Sequence, residues 1–209
     1  PGNSIGLSAV LHPSQNSEPT FRDIVALGDS AYVTGTGSRL YKLKYNGSAI
    51  VETGLSFTGY GFDGHAIDAK PDGSVIIMVG RLEGVARSAD NGQNWTAEDI
   101  RAPGGGPNLN DVKYAGGTTW YAGGDMTSPG NAGFYKSTDD GATWTAIGSN
   151  LPGIDINAIY FSSPDTGFVA EDNDILYTDD GGTTWSALTV TPIIGSSKVD
   201  DLTGVETDL

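Results

Sequence analysis

Read for alternation alone, the chain breaks into short apolar strands of about five residues, separated by clusters of Gly, Pro, Asn and Asp. No stretch sustains a 3.6-residue apolar face, so no helix is expected. A first strand recurs as DIVAL (23–27), HAIDAK (65–70), DVKYA (111–115) and NAIYF (157–161). A turn follows each, then a second strand: AYVTG (31–35), VIIMVG (75–80), TWYAGG (119–124) and GFVAE (167–171). Aligning the units places Ile24, Ile67, Val112, Ile159 and Leu202 at equivalent positions, spaced by 43, 45, 47 and 43 residues.

The third strand of three units leads into one octapeptide: SADNGQNW (88–95), STDDGATW (137–144) and TDDGGTTW (178–185). Each carries a hydroxyl (Ser88, Ser137, Thr178), a carboxylate (Asp90, Asp139, Asp180), a glycine (Gly92, Gly141, Gly182) and a tryptophan (Trp95, Trp144, Trp185). Asp two residues before Gly is turn chemistry: the carboxylate accepts backbone N–H bonds and Gly supplies a positive φ. The hydroxyl bonds across the same turn, and the Trp opens the returning strand with a large body for packing. A carboxylate committed to its own hairpin is unavailable as acid, base or metal ligand, so these twelve residues are read as structural. The first unit keeps only a remnant at 39–50, where Asn46-Gly47 holds a hairpin and Ile50 stands in for the Trp.

These octapeptides resemble Asp-box motifs, or BNR repeats, of the kind found in sialidases, some xyloglucanases, sortilin-type receptors and photosystem II assembly propellers. Residues 155–185 are especially similar to one repeat of the photosystem-assembly type, and the resemblance spans roughly residues 21–185. It implies an all-β fold, a small β-propeller of four-stranded antiparallel blades, and by itself no particular activity. The period found above is that of a propeller blade. Four units fall at about 19–62, 63–107, 108–153 and 154–196, in one domain. The ends, 1–18 and 197–209, are expected to complete a shared fifth blade and so hide exposed sheet edges. A four-bladed ring with trailing ends, or part of a larger ring, are the alternatives.

Composition narrows the partners. The chain has 26 acidic and 11 basic residues, a formal charge of −15, which argues against nucleic acid and anionic membranes. No apolar run approaches a membrane span, no signal peptide is read within these residues, and there is no cysteine. The acidity serves solubility, or else an acidic face that recognises a basic partner or collects divalent cations.

Candidate chemistry is sparse. A sialidase-type site needs three converging arginines, and the five present (Arg22, Arg39, Arg81, Arg87, Arg101) show no such set; Arg87, on a strand entering a box, reads as edge-facing. His12 and His65 lack ligand spacing, and Asp139-Asp140-Gly141 lacks the oxygen ligands of a calcium loop, so no metal and no cofactor is expected. The rim opposite the boxes gathers the loops between second and third strands with the connections between units. It carries Arg81, Asp125, Asn131, Glu171, Asp172 and Asp174, joined by Tyr60, Phe62, Asp63 and His65. The loop at 123–133 departs most from the repeat, and insertions in repeat proteins fall on working faces. The expectation is a non-catalytic interaction module in an extracellular, cell-surface or virion assembly, binding protein or glycan. The rivals are a carbohydrate-active propeller, or a fragment of one, and an assembly factor of the photosystem type.

Overall fold

The structure, a computed structural model, describes residues 20–36, 39–45, 50–52, 55–56, 63–81, 84–98, 100, 108–125, 133–147, 151, 155–171 and 174–188. The expected fifth blade, the Asn46-Gly47 hairpin, and Tyr60, Phe62, Asn131 and Asp172 lie outside them.

Every element among the described residues is a strand, and the strands form four antiparallel sheets in chain order. The first sheet holds β1 (Phe21–Leu27), β2 (Ser30–Gly35) and β3 (Arg39–Tyr45), with its outer edge in two pieces, β4 (Ile50–Glu52) and β5 (Leu55–Ser56). The second is β6 (Asp63–Ala69), β7 (Ile76–Arg81), β8 (Val85–Ser88) and β9 (Thr96–Glu98). The third is β10 (Leu109–Gly116), β11 (Thr119–Gly124), β12 (Phe134–Ser137) and β13 (Thr145–Ala146). The fourth is β14 (Ile156–Phe161), β15 (Gly167–Glu171), β16 (Asp174–Thr178) and β17 (Ser186–Leu188). The first strands of successive sheets pack side by side, β1 with β6, β6 with β10 and β10 with β14. The sheets therefore fan from an axis as propeller blades do.

The core is three layers, one between each pair of sheets. Ile76 and Met78 face the first sheet, while Ile77 and Val79 face the third. That two-sided burial explains why VIIMVG and TWYAGG lack polar alternation. Tyr121 and Phe134 of the third sheet pack with Ile159, Phe161 and Val169 of the fourth. Trp95, Trp144 and Trp185 each border one layer.

The boxes show how local chemistry serves this stacking. Ser137 Oγ accepts from Gly141 N at 2.8 Å, while Asp139 accepts from Thr143 N at 2.8 Å and Thr143 Oγ1 at 2.6 Å. Ser88 with Asp90, and Thr178 with Asp180, repeat the arrangement. Two consecutive residues take left-handed backbone in each box: Asn91 and Gly92, Asp140 and Gly141, Gly181 and Gly182. Asn, Asp and Gly are the residues that tolerate this. Each turn then lies on the preceding sheet. Tyr32 Oη donates to Asn91 O at 2.6 Å, Arg87 Nε to Asp140 O at 2.6 Å, and Tyr121 Oη to Gly181 O at 3.1 Å. Lys70 Nζ meets the Asp140 carboxylate at 2.8 Å. Arg87 is thus an inter-sheet strut instead of an edge-facing side chain, because the box of the next sheet comes to its own strand.

Three further carboxylates tie sheet to sheet. The first strand of each sheet is an edge strand whose unpaired N–H groups need acceptors. Asp23 accepts from Ile24 N at 2.8 Å and from Ile67 N at 2.9 Å. Asp68 takes Ala69 N and Tyr114 N, both at 2.8 Å. Asp111 takes Val112 N at 2.8 Å and Ile159 N at 2.7 Å. Each carboxylate thus bridges its own strand and the first strand of the next sheet, where β-sheet hydrogen bonding cannot reach.

Candidate functional site

Each first strand begins with a one-residue irregularity, between Phe21 and Asp23, Gly64 and Ala66, Leu109 and Asp111, and Ile156 and Ala158. Such bulges re-aim a side chain and end regular pairing. The residues placed there are Arg22, His65, Asn110 and Asn157, all polar, at one structural position around the rim opposite the boxes.

The second and third sheets join there. Asn110 Nδ2 donates to Asp125 Oδ1 at 2.8 Å and to Ile156 O at 3.0 Å, and its Oδ1 lies 3.3 Å from His65 Nδ1. An amide oxygen only accepts, so His65 Nδ1 is the donor. Asn108 Nδ2 donates to the other Asp125 oxygen at 2.9 Å, and the Asp125 backbone N–H to Asn108 O at 2.9 Å. Asp125 also forms an isolated β-bridge with Asp155, which brings the fourth sheet to the same place. The result is a connected line from His65 through Asn110 to Asp125. Both oxygens of Asp125 are held by side-chain amides, an arrangement that suits positioning better than proton transfer or metal binding.

Of the residues picked from sequence, His65 and Asp125 meet in this line. Asp63 pairs with Arg81 in the β6–β7 register, and Glu171 with Asp174 at the β15–β16 turn. Arg81 is the last paired residue of its second strand, and Asp125 lies just past the last pair of its own. Asn110, Asn108 and Asn157 were missed. A sequence signal exists for Asn110 and Asn157, which stand two residues before the aligned Val112 and Ile159, as His65 stands before Ile67.

Glu171 is an exception to the repeat. Gly35, Gly80 and Gly124 hold its place in the other sheets, where an added Cβ would overlap the carbonyl oxygen of Thr20, Asp63 or Asn108. The fourth sheet carries Glu instead, opposite Ile156, and only 4% exposed. A buried carboxylate has replaced a glycine required by close backbone approach elsewhere.

Electrostatics separate two sets of acids. The box carboxylates are held well below their ordinary range, at about 2: Asp90 first by the Asn94 N–H, Asp139 by the Thr143 hydroxyl and Asp180 by the Thr184 hydroxyl. Asp111 goes the other way. Burial pushes it up to about 7, against the pull of Lys113 and of the Ile159 and Val112 N–H groups; burial raises Asp68 as well. Among the described residues, no three His, Cys, Asp or Glu side chains gather as metal ligands would, and no helix is long and apolar enough to cross a membrane.

The BNR/Asp-box repeat profile matches residues 176–187. No curated protein matches the chain. Among solved structures, the chain is similar to YCF48 from Cyanidioschyzon merolae (14% identity, TM-score 0.58), covering 86% of this chain and 59% of that one. It is similar to the GH74 xyloglucanase from Xanthomonas campestris (18% identity, TM-score 0.57), with 82% of this chain and 30% of that one covered. The RRP9 WD40 repeats align at 8% identity and a TM-score of 0.64, over 83% of this chain and 52% of that one. The chain therefore spans just over half the length of YCF48 and under a third of the xyloglucanase. The likeness at these identities is one of fold.

Proposed function

The chain carries Asp-box repeats on an all-β propeller scaffold, and we propose that it acts as a non-catalytic interaction module. Its working surface is the rim of His65, Asn110, Asp125 and Asp174, and its partner is a protein within a larger surface, secreted or virion assembly. The observation that carries this reading is the fate of the carboxylates. Those of the boxes brace their own turns, those at Asp23, Asp68 and Asp111 tie the sheets, and Asp125 is locked by two amides. The rim is left with fixed amide, imidazole and carboxylate groups, which suit recognition. The excess of 26 acidic over 11 basic residues favours a basic partner surface.

The test places a photo-crosslinking residue at Asp174 on this rim and, separately, at Asp179 on the box rim. Crosslinks to one defined partner from Asp174 only, lost on Asn110→Ala, support the reading. Crosslinks from Asp179 only would refute it. A glycan-acting propeller is the second reading, favoured by the buried Glu171 carboxylate, a residue type that serves as an acid in glycoside hydrolysis. Turnover of a plant or sialylated glycan, abolished by Glu171→Gln, would establish it in place of the first.

A further inference from the structure

At all three inter-sheet layers the same register position is sealed. The face of each sheet turned to its successor carries a cross-strand triplet: Val25–Tyr32–Lys42, Asp68–Ile77–Arg87 and Lys113–Tyr121–Lys136. Their central residues are 2%, 0% and 0% exposed, because the following sheet lies on them. In the fourth sheet that register carries Tyr160–Phe168–Tyr177, with ring centroids 6.4 and 5.2 Å apart. This is a continuous aromatic face, only half-buried, and Leu188 near its outer edge is 41% exposed.

We propose that residues 198–209 form the first strand of a fifth sheet that docks on this aromatic face. Three features identify the occupant. VDDLTGV at 199–205 repeats the order of FRDIVAL at 21–27 and LNDVKYA at 109–115: apolar, polar bulge residue, Asp, apolar. The separation matches, since β9 ends at Glu98 and β10 begins at Leu109, while β17 ends at Leu188 and Val199 follows at the same distance. Leu202 stands where Ile67, Val112 and Ile159 stand, and those residues are 3%, 0% and 0% exposed against the preceding sheet. Ile24, with no preceding sheet among the described residues, is 59% exposed. Leu202 requires such a cover, and the Phe168 face supplies one of the right composition. Asp201 falls where Asp23 and Asp111 carry their inter-sheet bonds, so the fifth strand has its own acceptor for edge N–H groups.

The proposal is independent of the rim reading. Hydrogen exchange, followed by mass spectrometry on the full 209-residue chain, tests it. Amides of 199–205 should exchange at least ~100-fold more slowly than in an unstructured peptide. Phe168→Asp and Leu202→Asp should each abolish that protection while β7 and β11 keep theirs. Unprotected 199–205 amides in the unaltered chain would overturn the proposal, as would protection that survives both substitutions. A doubled particle mass that Phe168→Asp returns to one chain, with 199–205 unprotected, would instead assign the face to a second copy.

Discussion

Gly141→Ala offers a direct reading of how a box turn seats on the sheet before it. Gly141 has φ +75°, and a Cβ built there would overlap Cδ1 of Ile77, a side chain of the second sheet that is 0% exposed. Two costs add. A non-glycine residue in the left-handed region costs about 1–2 kcal/mol, and forcing a methyl into a packed layer costs about 1–3 kcal/mol. The sum is about 2–5 kcal/mol, which for a chain of this size lowers the melting temperature by roughly 4–20 °C. The terms separate in a double-mutant cycle. Ile77→Val removes the overlapping atom, and the next Ile77 atom lies at 3.5 Å, an ordinary contact. In that background Gly141→Ala should cost only the backbone term, leaving a coupling energy of about 1–3 kcal/mol. Urea unfolding of the four proteins gives the answer. Additive effects would show that the turn does not rest on Ile77, and the inter-sheet role of the box would fail with it.

Trp144→Ala should destabilise by about 2–4 kcal/mol, since Trp144 packs half-buried against the layer between second and third sheets; partner affinity, measured on the folded fraction, should not move. The two acid sets predict opposite pH limbs. Asp90, Asp139 and Asp180 sit at about 2, below their ordinary 3.8, so the stability they add is present above about pH 4 and lost as pH falls toward 2; Asp139→Asn should flatten that acid limb in urea titrations. Asp111 sits at about 7, above 3.8, so its folded state favours the proton and its contribution declines as pH rises from about 4 to 7. Asp111→Asn should therefore lose stability relative to the unaltered chain mainly at the low end of that window, and a difference that grows with pH would contradict the assigned direction. Tyr121→Phe removes a hydroxyl that donates to Pro164 O at 2.7 Å and Gly181 O at 3.1 Å; a loss of about 1–2 kcal/mol is expected by calorimetry.

The sequence by itself determined the repeat, its period and the strand order within each unit. Those features are written in local chemistry: left-handed backbone admits Gly, Asn and Asp at residues 91–92, 140–141 and 181–182, and runs such as VIIMVG at 75–80 have no polar face to offer solvent. It also named His65 and Asp125, and it sets Asn110 at the position aligned with His65, without showing that they touch, since that contact spans 45 residues and depends on how the second and third sheets stack. Only the tertiary structure decided that Asp23, Asp68 and Asp111 bind the next sheet, that Arg87 reaches Asp140, and that Glu171 is buried where its counterparts are glycines. The physical reason is one of range. A turn satisfies its own backbone within a few residues, whereas the open edge of a first strand must find acceptors on another sheet, and which side chain supplies them depends on how the sheets stack.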